Sequence, residues 1–265
     1  MHESPITVII ASWGRPLYLW KCLDALSRGT TSPARFVLIN NHHPDPGVEE
    51  VIRAFERRGF FAAVRRFVNN SVENLVSAYA DEIQSCGPEH VFLESDTVVS
   101  CSVGCWLAEM WRIFRAHPSI GMLGSLVDTT DFVSPEAAGK LATSSGDAEF
   151  LAKLTSPERG FHPADRWHDG TRDFFPTQGS CPIGNPPGRL LMLETSHLRR
   201  VGLLPDSALA KSFRQHGFLP AVTARVRHRH LSLLNIFDYP AYDHANRKTF
   251  FDTMLASRGT CSDSP

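Results

Sequence analysis

Two carboxylates one residue apart are the first feature of this sequence that could carry chemistry. Glu94 and Asp96 flank Ser95 directly after the apolar run 90–93. Both carboxylates can supply oxygen ligands to a hard divalent cation, and Mg²⁺ or Mn²⁺ held in this way shares its remaining positions with phosphate oxygens and water. An acidic loop that caps the helix predicted over 102–116 is the alternative, because Asp96 precedes that helix.

Two histidines late in the chain are the second candidate for metal binding. His228 and His230 flank Arg229 in a segment, 218–230, that the sequence predicts to be extended. Alternate residues of an extended segment point to the same face, so both imidazoles can face one site. A solvent-exposed basic strand is the other interpretation of these residues.

Asp206 is a candidate general base. It opens a predicted helix in which Leu209 and Phe213 face inward. A general base must lie within hydrogen-bond reach of the proton that it removes, and helical periodicity does not establish such a position. Capping the N-terminus of the helix is the other role open to Asp206.

Alternating strands and helices in the first half of the chain would position these residues. The predicted strands cover 6–12, 35–40, 90–93 and 120–127. The predicted helices begin at Pro16, near Val48, after Ser71 as N-cap, and near Trp106. This alternation implies an α/β fold with a mostly parallel, Rossmann-like sheet and helices on both faces. Ligands bind at the carboxyl ends of such strands. The residues there are Ser12, Trp13, Asn40, Asn41 and the triplet 94–96.

The second half of the chain has weaker periodicity. Residues 128–187 are rich in Pro, Gly, Ser and Asp, and we expect a long excursion over the site. An ordered apolar segment is predicted at 188–194. Helices are predicted at 196–200, 206–216 and 239–256, and an extended segment at 218–230. Without an internal repeat or a change of composition, the sequence favours a single domain over 1–265. Its two halves would cover about 1–127 and about 128–258, with 259–265 as a tail.

Composition excludes several classes of protein. The 27 Lys and Arg residues against 28 Asp and Glu give a net charge of −1, which argues against a general nucleic-acid binder. The apolar runs are far shorter than the ~20 residues of a membrane span. No basic segment followed by an apolar run opens the chain, so we expect no secretory signal. Six scattered cysteines favour reduced thiols in a cytoplasmic protein.

Several catalytic motifs are missing. The sequence contains no GxGxxG, GxxxxGK[ST], GxSxG or HExxH. The dinucleotide-binding, P-loop, hydrolase and zincin classes therefore lose their main support.

Five segments together resemble a family 2 glycosyltransferase of the GT-A fold. They are ITVIIASWGRPLYLWKCLDAL, RFVLINNHHPD, HVFLESDTVV, GRLLMLETSHLRRVG and GFLPAVTARVRHRH. The resemblance covers about 5–127 and 186–231, and it depends on the order and spacing of the segments. It makes 1–127 the nucleotide-sugar-binding half and 128–258 the acceptor-side half. HVFLESDTVV is similar to the strand that delivers the DxD motif.

The resemblance implies a metal-assisted, inverting, hexosyltransferase-like enzyme. Its donor would be a UDP-, dTDP- or GDP-sugar, and its acceptor a glycan or a small molecule. Asp96 and His228 would hold Mn²⁺ or Mg²⁺, with Glu94 and His230 as further candidate ligands, and Asp206 would be the base. The residues placed against the nucleotide are Ala11, Ser12, Trp13, Arg15, Asn40, Asn41, Glu94, Ser95 and Asp96.

The chain departs from the family pattern at several positions, among them Glu94, a longer substitute at the DxD position, and Gly14, where the family often has Asn. Asn40 replaces the usual base-binding aspartate, and Pro205 replaces the acidic neighbour of Asp206. Two alternatives therefore stay open: a non-catalytic nucleotide-sugar-binding module and a metal-dependent nucleotidyltransferase. If Asp206 is not the base, the next candidates are Asp165, Asp169 and Asp173. A homo-oligomer is compatible with the sequence.

Overall fold

A computed structural model describes residues 4–101, 104–128, 172–177, 186 and 188–231 of the chain. Several predictions lie outside these described residues: most of the long excursion, Asp165 and Asp169, the helix over 239–256 and the tail. None of the helices in these described residues combines the length and the hydropathy that a membrane span requires.

Strands and helices alternate through most of the described chain. The first seven elements are β1 (Ile6–Ser12), α1 (Pro16–Gly29), β2 (Ala34–Asn40), α2 (Pro46–Glu56), β3 (Ala63–Arg66), α3 (Val72–Gln84) and β4 (Glu89–Glu94). The next four are β5 (Thr97–Cys101), α4 (Trp106–Ala116), β6 (Ile120–Val127) and β7 (Phe175–Pro176). The last four are β8 (Leu190–Glu194), α5 (Thr195–Val201), α6 (Asp206–Gln215) and β9 (Leu219–His230).

The described strands form one sheet in the order β3-β2-β1-β4-β8-β6-β9-β5, with β7 paired to β9. Strands β1 to β4 pair in parallel, as the alternation predicts. Strand β8 adds antiparallel pairs with β4 and β6, and β5 pairs antiparallel with β9. The α/β class is confirmed, and the sheet is mixed because β5 and β8 reverse direction. Strand β5 is an element that the sequence did not predict.

Local sequence explains where the helices begin. Pro16 lies at the start of α1, where its missing N–H costs nothing. Asp45 accepts a hydrogen bond from the backbone N–H of Gly47 at the start of α2. Ser71 accepts one from Asn74 at the start of α3, as predicted from its position.

The core lies on both faces of the sheet, because adjacent residues of each strand point to opposite sides. In β1, Val8 and Ile10 pack with α1, α2 and α4. Ile9 and Ala11 pack on the other face with α3, α5 and α6. These two layers fix the strand ends, and the strand ends carry the candidate site.

Candidate functional site

Ser12 and Asn40 lie side by side at the carboxyl ends of β1 and β2, where they are paired in register. Both residues are buried. Neither Ser12 Oγ nor Asn40 Oδ1 has a hydrogen-bond partner among the described residues. Leaving a buried polar atom unpaired costs about 1–3 kcal/mol, so a ligand that supplies the missing partners would relieve this cost.

Asn41 has a different environment from its neighbour. Its Nδ2 donates to Asn70 Oδ1 at 2.9 Å and to the Ser71 carbonyl at 2.7 Å. Its Oδ1 accepts from the Ser71 backbone N–H at 3.3 Å, and its own N–H donates to the Ser12 carbonyl. Asn41 therefore connects the strand ends to the start of α3.

The turn from β1 to α1 is tightly packed. Gly14 has φ +106°, and a Cβ on it would lie 2.6 Å from the ring of His43. Trp13 is half-buried in this turn, and the carbonyl of Ala11 accepts a hydrogen bond from Ser95. That bond joins the end of β1 to the Glu94-Ser95-Asp96 triplet.

Arg15 follows Gly14 in a left-handed backbone conformation, with φ 57° and ψ 73°. Its side chain is buried, and its guanidinium carbon lies 5.2 Å from the centre of the Tyr18 ring. Arg15 Nη2 lies 3.2 Å from Asp96 Oδ2. Left-handed backbone is uncommon for arginine and tends to occur at functional sites.

Asp96 lies in the turn between β4 and β5 and is 2% exposed. Its Oδ2 is shared by Arg15 and by His230, whose Nε2 lies 3.0 Å away. Its carbonyl accepts from the backbone N–H of Leu231. Asp96 does not cap α4, because β5 intervenes, so the loop-capping alternative is excluded.

Glu94 faces a different arginine. Its carboxylate pairs with the Arg189 guanidinium, and its backbone N–H donates to the Arg189 carbonyl at 3.0 Å. Arg189 is not among the site residues predicted from the sequence. A charged residue placed directly before the apolar strand β8 is the signal that could have identified it.

The alternation predicted for β9 is present: His228 and His230 are buried, while Arg229 between them is exposed. His228 Nδ1 lies 2.6 Å from Ser125 Oγ, and its Nε2 has no hydrogen-bond partner in the described part of the chain. Burial, reinforced by nearby His230, lowers the pKa of His228 to about 3. At neutral pH His228 is therefore uncharged, which is the form that binds metals.

The structure assembles the four predicted metal ligands in part. Asp96 contacts His230, while Glu94 turns to Arg189. His228 is close enough to Asp96 for the carboxylate to oppose the lowering of its pKa. Within the described ranges, no group of three or more His, Cys, Asp or Glu side chains is already arranged to hold a metal ion.

Asp206 lies at the first residue of α6, with Pro205 as N-cap. Its Oδ2 accepts a hydrogen bond from the backbone N–H of Gly188 at 2.9 Å. Burial raises the pKa of the Asp206 carboxyl. A raised pKa suits a general base. The hydrogen bond from Gly188 also places the Asp206 carboxylate beside the residue that precedes Arg189.

Asp173 is poorly suited to the role of base. Its carboxylate accepts from Arg112 and from Arg225, each at 2.9 Å. The hydrogen bond from Arg112 is the main reason that the pKa of Asp173 is lowered. Two guanidinium partners make this carboxylate a weak proton acceptor.

Comparison with solved structures finds glycosyltransferases. The chain is similar to the mannosyltransferase PcManGT from Pyrobaculum calidifontis in complex with GDP-Man and Mn²⁺, at 14% identity and a TM-score of 0.56. It is similar to GalNAc-T7 with UDP, GalNAc and Mn²⁺, at 12% identity and a TM-score of 0.58. A third similar structure is glucosyl-3-phosphoglycerate synthase from Mycobacterium tuberculosis with Mn²⁺, UDP and glucosyl-3-phosphoglycerate, at 14% identity and a TM-score of 0.51.

These matches cover 100%, 86% and 99% of this chain, respectively. The chain spans 66% of the mannosyltransferase and 44% of GalNAc-T7, which is less than two thirds of either, and 82% of the synthase. No family model and no curated protein matches the chain. Membership of family 2 therefore stays a prediction. The architecture does not depend on it: this chain has the fold of the GT-A glycosyltransferases.

Proposed function

We propose that this chain is a glycosyltransferase that moves a sugar from a nucleoside-diphosphate sugar to an acceptor hydroxyl. One observation carries the proposal: polar groups converge at the carboxyl ends of β1, β2 and β4. There, Ser12 and Asn40 present buried oxygens, and Asp96 meets Arg15 and His230. The nucleotides in the three similar solved structures support this choice of donor.

Ser12 and Asn40 would bind the nucleoside. A side-chain amide both donates and accepts, so Asn40 can pair with a base edge that has an N–H beside a carbonyl. Uracil, thymine and guanine all carry such an edge. This chemistry agrees with the UDP-, dTDP- and GDP-sugars predicted from the sequence, and it implies looser base selectivity than a carboxylate would give.

A divalent cation would be held by the donor set around Asp96, which is not yet arranged as a metal site among the described residues. The set combines a carboxylate with two imidazoles, and His228 Nε2 has no other partner among the described residues. Mn²⁺ accepts both oxygen and nitrogen ligands, whereas Mg²⁺ prefers oxygen, so Asp96, His228 and His230 favour Mn²⁺. When bound, the cation would neutralise the charge that develops on the departing diphosphate.

Other side chains would orient and neutralise the reactants. Glu94 holds the Arg189 guanidinium at the site, and Arg15 brings a second positive charge. Asp206 would remove the proton of the acceptor hydroxyl as that hydroxyl attacks C1. Attack on the side opposite to the diphosphate would invert the anomeric centre.

Turnover assays would test the proposal. The chain would be incubated with Mn²⁺ and a panel of UDP-, dTDP- and GDP-hexoses, with and without glycan or small-molecule acceptors. We expect release of a nucleoside diphosphate that Asp96→Asn abolishes. Binding of nucleotide sugar without turnover would favour a non-catalytic module instead. Consumption of a nucleoside triphosphate with release of pyrophosphate would favour a nucleotidyltransferase.

The hexosyl specificity and the acceptor class follow from the resemblance, and the same panel would identify them. The cytoplasmic location and a homo-oligomeric state stay predictions from the sequence.

A further inference from the structure

We propose that Arg15 competes with the divalent cation for Asp96, and that it keeps the cation affinity of the nucleotide-free protein low. This inference rests on the proposed function in one respect, which is that a cation binds at Asp96. It adds a role for Arg15 that acts through Asp96, and it predicts that nucleotide and cation bind cooperatively.

The first argument is that Arg15 and Asp96 form a buried ion pair. Arg15 Nη2 lies 3.2 Å from Asp96 Oδ2, and the two side chains are 6% and 2% exposed. Solvent and salt screen a buried pair much less than a surface pair. A cation bound to Asp96 must therefore displace the guanidinium or tolerate a second positive charge beside it.

The second argument is that the fold holds Arg15 in place. Its backbone is left-handed. The preceding residue is Gly14, and a side chain at that position would collide with the ring of His43. The Arg15 carbonyl accepts from the backbone N–H groups of Tyr18 and Leu19, each at 3.0 Å. The guanidinium also lies over the Tyr18 ring. These contacts direct Arg15 toward Asp96 instead of letting it move as a surface arginine does.

The third argument concerns what happens when a nucleotide arrives. A diphosphate offers oxygens that arginine binds in pairs, so it can take over the guanidinium that leaves Asp96. The same anion attracts the cation. Nucleoside diphosphate and cation should therefore each raise the affinity for the other, since coupling between two ligands is reciprocal.

Mn²⁺ binding without nucleotide tests the inference directly. The bound fraction would be measured from the electron paramagnetic resonance signal of free Mn²⁺, with melting temperature as a check on folding. Arg15→Gln should bind Mn²⁺ at least about tenfold more tightly than the wild type, within the usual range of coupling between two sites. Arg15→Lys keeps the positive charge and should stay close to the wild type.

Two further variants serve as controls. Arg28→Gln removes the same charge from an exposed position on α1, where Arg28 pairs with Asp24, and should leave Mn²⁺ affinity unchanged. Asp96→Asn should abolish the tight binding when it is combined with Arg15→Gln. A loss of folding would weaken Mn²⁺ binding, so a gain of affinity cannot come from a damaged protein.

Other outcomes would overturn the inference. They are equal or weaker Mn²⁺ binding by folded Arg15→Gln, tight binding that survives Asp96→Asn, or an equal gain in Arg28→Gln. The proposed function fails separately. Tighter Mn²⁺ binding by Arg15→Gln, without turnover of any nucleotide sugar by the wild type, would support this inference and contradict the proposed enzymatic function. Turnover by the wild type, without a gain of Mn²⁺ affinity in Arg15→Gln, would support the proposed function and contradict this inference.

Discussion

The carboxylate of Asp206 accepts a hydrogen bond from the backbone N–H of Gly188, with Oδ2 2.9 Å from that nitrogen. The bond joins the first residue of α6 to the segment that leads into β8. Arg189 follows directly and pairs with Glu94. Asp206 is therefore connected to the 94–96 triplet through two residues that lie far from it in sequence.

Replacing Asp206 with Asn tests its role as a base. The Asn side-chain oxygen can still accept the hydrogen bond from Gly188, so the melting temperature should change little. An amide cannot take a proton, so we expect kcat to fall by about 10²–10⁴ while nucleotide affinity stays nearly constant. Initial rates and calorimetry would measure the two effects. Near-normal turnover would point to a different base, and since Asp173 is held by two arginines, Asp165 and Asp169 would be examined next.

Gly188→Ala should disrupt the same contact from the other side. A Cβ at Gly188 would overlap with the Asp206 carboxylate, so the carboxylate or the backbone must move. Such overpacking typically costs about 1–3 kcal/mol of unfolding free energy. Urea denaturation would measure the loss. Gly87→Ala is the matched control, because a Cβ there meets nothing within 4 Å. Equal stability of Gly188→Ala and the wild type would show that Asp206 rearranges without cost.

The sequence predicted the parts of this molecule that depend on local pattern. The helix starts at Pro16 and Ser71 follow from residue types at fixed offsets, and the parallel strands follow from alternation with helices. The shared burial of His228 and His230 follows from the period of an extended strand.

Pairings between distant residues could not be read from the sequence. Arg15 and Asp96 are 81 positions apart, and Glu94 and Arg189 are 95 apart. These side chains come together because β1 pairs with β4 and β4 pairs with β8 in the folded sheet. The same limit explains why Asp206 could not be assigned, because its partner Gly188 belongs to another element.

The contrast between Asn40 and Asn41 gives a further prediction. Asn40→Ala removes an amide whose oxygen has no partner among the described residues, so stability should hold while nucleoside diphosphate affinity falls. Asn41→Ala removes the side-chain contacts to Asn70 and Ser71, and it should lower unfolding free energy by about 1–3 kcal/mol. Calorimetric titration and thermal melting of both variants would measure this. A stable Asn41→Ala with weakened nucleotide binding would reverse the two assignments.

Buried histidines should make the protein sensitive to acid. His90 is fully buried, with Nε2 2.6 Å from the Tyr79 hydroxyl and Nδ1 2.9 Å from the Thr195 hydroxyl. Burial lowers the pKa of His90 from 6.5 to about 3 in the folded protein. Between pH 6.5 and about pH 3, the unfolded chain therefore binds a proton at His90 that the folded protein excludes. The contribution of neutral His90 to the free energy of unfolding is fully present above pH 6.5, and it is lost progressively as the pH falls toward 3.

His90→Gln tests this linkage, because glutamine can form hydrogen bonds but does not titrate in this range. Unfolding free energy would be measured by urea denaturation at several pH values between 6.5 and 4. Each excluded proton adds about 1.4 kcal/mol per pH unit to the slope, so the variant should show a slope smaller by about that amount. A wild-type slope in His90→Gln would mean that His90 gains its proton without unfolding, and that the Tyr79 and Thr195 hydroxyls reorient to accept from a charged ring.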